Sequence, residues 1–97
     1  LQALDDALQQ HTPEIFNTLG SHHLGRKHYR EAIEQFNKAI ELNALHYDSY
    51  SKRGLSRYGL GDYAGALLEW EAACRILPDL RQTLAAFIDR ARSRLGG

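Results

Sequence analysis

The stretches Tyr29–Leu42, YREAIEQFNKAIEL, and Tyr63–Ile76, YAGALLEWEAACRI, share few identical residues but keep the same order of aromatic, alanine, large aromatic and alanine at equal distances. They lie thirty-four positions apart, and the offset extends beyond them. Gly20 aligns with Gly54, Ala32 with Ala66 and Ala39 with Ala73; Phe16 aligns with Tyr50, Gly25 with Gly59, Phe36 with Trp70, and Leu42 with Ile76. A fixed period of this size indicates stacked supersecondary units, each leaning on its neighbour, rather than one closed core.

Within each unit the spacing is helical. Ala32, Ile33, Phe36, Ala39 and Ile40, and later Ala66, Leu67, Trp70, Ala73 and Cys74, recur at three and four residues, where a strand would alternate. Pro13 suits the first position of a helix capped by Thr12, which runs to Gly25 or Arg26. A second helix is expected over about Arg30 to Leu42, with the corresponding pair over about Asp48 to Leu60 and Tyr63 to Leu77. Gly61 and Asp62 break the second pair. After Pro78, Leu84, Phe87, Ile88, Ala91 and Leu95 form the stripe of a closing helix, with Asp79 and Gln82 placed as a capping pair. Before Thr12, Leu1, Leu4 and Leu8 fall at offsets of three and four, which predicts a short flanking helix.

Glycine and alanine at the repeated positions let two helices approach closely, while Phe36 and Trp70 fill the wider gaps beside them. The pattern resembles the tetratricopeptide repeat family, whose units are helix-turn-helix pairs of thirty-four residues. The resemblance rests on Phe16 and Tyr50, on Leu19-Gly20, on the segment YGLGDYAGALLEW and on Pro78, and it covers residues 13 to 80. It implies an all-α, right-handed α-solenoid of antiparallel helix pairs with about six helices. The single domain divides into a flanking helix (1–12), repeat one (13–46), repeat two (47–80) and a capping helix (81–97). The departures are Arg53 in a leucine slot, His23 and Arg57 in an aromatic slot, Lys27 in place of the turn glycine, and Ala44 in place of a proline.

The resemblance also implies function: a protein-interaction module without catalysis, binding a partner peptide on the inner face formed by the first helix of each pair. Carried over position by position, the partner-binding residues are Asn17, Ser21 and Leu24 in repeat one, Asp48, Ser51, Lys52, Leu55 and Tyr58 in repeat two, and Arg92 in the closing helix. Glu14, Gln82, Ala85 and Asp89 lie on the same face. Some members hold a C-terminal carboxylate with lysine, asparagine and arginine; here Asn17 and Ser21 stand in the repeat-one places and Lys52 alone has a suitable charge, which disfavours that mode. The alternative is a self-associating scaffold stacked through its terminal helices, with Leu1, Leu4 and Phe87 as the residues concerned.

Composition narrows the field further. Apolar residues make up 43% of the 97 and charged residues 25%, as in an ordinary soluble domain. Twelve basic side chains balance twelve acidic ones, so nucleic acid is not an expected partner, although Arg81, Arg90, Arg92 and Arg94 cluster near the end. No apolar run is long enough for membrane insertion, and no signal pattern opens the chain. A lone Cys74, in a core slot equivalent to Ile40, cannot form an internal disulfide; it suits a reducing compartment, and a cytoplasmic location is the expectation. The opening Leu1 suggests a segment of a longer protein.

No cofactor, metal or catalytic constellation is expected. His22, His23 and His28 lack ligand-type partners at helical spacing, and Gly59-Leu60-Gly61 reads as a repeat turn rather than a phosphate cradle. Arg53 and Arg57, one turn apart on a helix, repel each other unless an acid lies between them. They either pair with Glu34, Glu41 or Glu69 on a neighbouring helix or receive an acidic group from a partner.

Overall fold

A computed structural model describes residues 12–96. Five helices follow one another: α1 (Pro13–Gly25), α2 (Tyr29–Leu42), α3 (Tyr47–Gly59), α4 (Tyr63–Ile76) and α5 (Leu80–Gly96). No strand occurs among the described residues. Each helix packs on the next, and α1 also touches α3. The array is therefore a helical solenoid in which α1, α3 and α5 lie on one side and α2 and α4 on the other. The flanking helix expected before Thr12 lies outside the described residues.

The helix limits follow local chemistry. Thr12 is extended at the start of α1, and its backbone carbonyl, not its side chain, accepts the N–H of Ile15. α4 has the one side-chain cap among the described helices: Asp62 accepts from the N–H of Gly65 at 2.9 Å. The expected capping pair of α5 does not form. Its first turn is held by the N–H groups of Leu80 and Arg81, bonded to the carbonyls of Leu77 and Pro78. Gly61 turns the chain between α3 and α4 at φ +85, and its counterpart Lys27 adopts the same left-handed region at φ 63 between α1 and α2.

The repeated glycines have a more specific partner than a neighbouring alanine. A Cβ built on Gly20 would lie 2.5 Å from the ring of Phe36, and one on Gly54 would lie 2.5 Å from Nε1 of Trp70. Each first helix thus receives the large aromatic of its own second helix directly against its backbone. Phe36 and Trp70 are fully buried, as are Ala32, Ala39, Ala66 and Ala73. Trp70 also donates its indole N–H to the carbonyl of Ser51 at 3.0 Å, which satisfies the polar edge of an otherwise apolar contact.

The second unit continues into α5. Ala66, Trp70 and Cys74 form one cluster with Leu84, Ile88 and Ala91, and Leu55, Tyr58, Tyr63, Leu67 and Leu80 pack around it. Ile88 stands thirty-four residues after Gly54. Its side chain turns into the cluster, so α5 covers the apolar side of α4.

Candidate functional site

The seam between α1 and α3 is polar, and its side chains hold one another. Asn17 donates from Nδ2 to Oδ2 of Asp48 at 2.7 Å and accepts at Oδ1 from the buried hydroxyl of Ser49 at 3.0 Å. With that hydroxyl committed as a donor, the 2.8 Å contact between Ser49 Oγ and His46 Nδ1 requires the imidazole to donate from Nδ1. His46 Nε2 lies 3.5 Å from Oε1 of Glu14. Lys52 Nζ reaches Asp48 at 2.9 Å one turn along α3. Burial pushes the Asp48 carboxyl upward, but the hydrogen bonds from Lys52 and Asn17 and the charges of Lys52 and His46 outweigh it and leave the pKa lowered. Glu14 is also lowered, first by its hydrogen bond to its own backbone N–H and then by the Thr12 side chain and His46. A groove of about 400 Å³ opens beside this network, lined by Glu14, Asn17, Asn43, Leu45, His46, Tyr47 and Asp48.

A second polar cluster joins α3 to α4. Glu69, 8% exposed, receives Nε of Arg53 and, at 2.9 Å, its Nη2; Nε of Arg57 lies 3.3 Å away. Arg53 also donates from Nη1 to Asn37 of α2 at 2.8 Å, and its guanidinium lies 5.4 Å from the centre of the Tyr50 ring. Arg57 reaches Asp62 at 3.4 Å. One carboxylate thus lies between the two like charges, and each nitrogen of the Arg53 guanidinium has a partner. Of the two readings open from sequence, this geometry favours internal pairing. The positions thirty-four residues earlier are Leu19, His23, His28 and Gln35, so repeat one has neither the two arginines nor the two carboxylates of this cluster.

A family model described as tetratricopeptide repeat matches residues 13–46, which are α1, α2 and the turn that follows. No curated protein matches the chain. The second unit repeats the first in helix lengths, thirteen then fourteen residues, and in the glycine-on-aromatic contact. Residues 13–46 thus have the sequence and the helix pair of a tetratricopeptide repeat, and the second unit copies that helix pair.

Within this helical array the residues predicted to meet a partner fall into three groups. Asn17, Asp48 and Lys52 come together at the α1–α3 seam, and Ser21 joins them by donating to the carbonyl of Asn17 at 2.8 Å. Leu24, half-buried, lies near the C-terminal end of α1. Ser51, Leu55 and Tyr58 face the second unit instead. Ser51 holds the Trp70 indole, Leu55 packs on the core cluster, and the Tyr58 ring lies 5.0 Å from Tyr63 and 6.3 Å from Trp70. Leu55 and Tyr58 keep part of their surface open, so packing and contact with a partner are compatible there. Arg92 is exposed on α5, as are Gln82, Ala85 and Asp89.

Sequence reasoning missed His46 and Ser49, which complete the seam of this repeat pair. Neither position stands out by charge or period, and Ser49 is fully buried with its hydroxyl bonded to Asn17 of α1. The histidine rings of repeat one are in contact: His23 lies 6.2 Å from both His22 and His28. Among the described residues no three histidine, cysteine or acidic side chains come together as a metal site. Cys74 is buried in the core cluster, and no described helix is long and apolar enough to cross a membrane.

Proposed function

We propose that the chain is a non-catalytic module that binds an extended partner segment along the face made by α1, α3 and α5. The observation that carries this reading is the Asn17–Asp48–Lys52 seam. Its side chains are already ordered by one another, and two of them, Asn17 and Asp48, line a groove of about 400 Å³. Preorganised polar groups beside a concave surface lose little entropy when a peptide backbone arrives, which is how polar residues contribute affinity without a large apolar area. The partly open rings and methyl groups of Leu55 and Tyr58 offer an apolar contact further along the face.

The test is selection of peptides from a display library by the intact domain, repeated with Lys52→Glu and with Tyr58→Ala. Both variants change partly exposed side chains. The reading predicts that each variant recovers a different or depleted set of peptides. Recovery of the same peptides by all three proteins would remove this face from consideration. Sedimentation over a concentration range separates the self-associating alternative, which requires a dimer where the module reading expects a monomer.

A further inference from the structure

The hydrogen-bond chain of the α1–α3 seam has a direction, and it leaves a gap at its end. Asn17 uses its amide N–H on Asp48, so its carbonyl oxygen takes the Ser49 hydroxyl proton, and Ser49 in turn accepts from Nδ1 of His46. A neutral imidazole that donates from Nδ1 carries its lone pair on Nε2, and this atom lies 3.5 Å from Oε1 of Glu14. Two acceptors then face each other with no hydrogen between them. A proton on Nε2 fills that gap. A donor from outside fills it equally well, because a nitrogen about 2.9 Å from both atoms closes a triangle of ordinary hydrogen bonds. Glu14 and His46 both line the groove of about 400 Å³ beside the seam. Asp48 adds a third acceptor to that lining, since Asn17 and Lys52 both bind its Oδ2 and leave Oδ1 without a partner among the described residues.

We propose that this groove takes a lysine side chain of the partner segment, with its ammonium between Glu14 and His46 and its methylene stem along Leu45 and Tyr47; this rests on the reading that the seam faces the partner. An ammonium carries three donors on one compact centre, which suits acceptors supplied by three different side chains, whereas the planar guanidinium fork is best met by both oxygens of one carboxylate. Leu45 and Tyr47 are exposed and line the same groove, so they offer apolar surface to the stem. An anion is a poorer occupant. The two carboxylates line the groove and Lys52 does not, and the N–H groups of Ser49 and Tyr50 in the first turn of α3 already bond the carbonyl of His46.

The ammonium competes with a proton for the same gap. The charged groups around His46 are Glu14 from α1 and Asp48 from α3, with Lys52 behind Asp48; the turn after α2 contributes the uncharged Asn43 and Leu45. Glu14 and Asp48 both have lowered pKa values, so they stay ionised across the range in which a histidine titrates and the ring alone changes charge. An imidazolium takes the Glu14 carboxylate for itself and repels the ammonium. Lysine binding is therefore strongest above the histidine range and fades as pH falls through it.

NMR titration of the full chain with Nα-acetyl-lysine methylamide tests this without a partner in hand. At pH ~8, above the histidine range, saturable amide shifts are expected at His46, Tyr47 and Asp48. The same compound acetylated on its ε-amine keeps most of the stem but loses the charge, and it should not produce them. Affinity should fall about tenfold between pH ~8 and pH ~5.5, and about tenfold in Glu14→Gln, which alters an exposed side chain. The proposal is overturned if the shifts do not saturate, if both compounds act alike, or if affinity is indifferent to pH or to Glu14→Gln. Each of these results leaves the wider reading standing, because peptide selection with Lys52→Glu and Tyr58→Ala decides that reading separately.

Discussion

Replacing Glu69 by alanine removes the acceptor shared by two guanidinium groups in a place where little water can take over. Glu69 is 8% exposed and the Arg53 side chain 17%, so Arg53 would keep its charge, its bond to Asn37 and its contact with Tyr50 while losing two of its hydrogen bonds. Breaking a fully buried ion pair costs about 3–5 kcal/mol. The bonds that Arg53 retains, and the 34% exposure of Arg57, which can lean on Asp62, lower the expectation to about 2–3 kcal/mol. For a domain of this size that lowers Tm by on the order of 10–20 °C. The paired change Arg53→Leu/Glu69→Gln writes the Leu19 and Gln35 of repeat one into repeat two; it removes the buried Arg53 charge with its acceptor and leaves the more exposed Arg57 its Asp62 contact, so it should lose less than about 1 kcal/mol. Circular dichroism at 222 nm during heating and Trp70 fluorescence in urea report both. If Glu69→Ala loses under about 0.5 kcal/mol, or the paired variant loses as much as Glu69→Ala, the cluster does not act as described.

Three further outcomes are expected. Gly54→Ala should lose about 1–3 kcal/mol by overpacking Trp70, which its bond to Ser51 holds in place, whereas Gly25→Ala, with nothing within 4 Å of the added Cβ, should stay close to wild type in the same urea titration. Lys27→Gly should raise stability by about 0.5–1 kcal/mol, because the left-handed strain at φ 63 is relieved and only part of the gain is lost to a more flexible unfolded chain; a lower Tm would contradict this. Asp48 has a lowered folded-state pKa, so its carboxylate contributes stability above the unfolded-chain value of about 3.9 and that contribution fades as pH falls through the folded value. Asp48→Asn should therefore lie below wild type in Tm at pH 7 and converge on it in acid; a gap that stays constant with pH would argue against the Lys52 and Asn17 contacts.

The period and the residue sizes made the fold legible, and the helix ends fell within one residue of their expected places because Pro13, Gly61 and Pro78 punctuate the chain. The glycine contacts were readable only as close approach in general. That the aromatic sixteen residues later meets each glycine depends on the rotation of the second helix, which spacing within one helix does not fix. Arg53 and Arg57 announced that an acid was needed, and Glu69 was one of three possibilities; the choice between them again required the packed geometry. The seam was less visible still. Asn17 and Asp48 meet across thirty-one residues, and Ser49 and His46 join them because α1 and α3 adjoin, a fact that belongs to the stacking of units rather than to either unit.

The role of the face made by α1, α3 and α5 is tested most directly by NMR, following backbone amide shifts of the domain as a library-selected peptide is added. Binding there predicts that the largest changes gather at Asn17, Ser21, Asp48, Lys52 and Arg92. Changes gathered instead on the outward residues of α2 and α4, such as Glu34, Lys38 and Glu71, would contradict it.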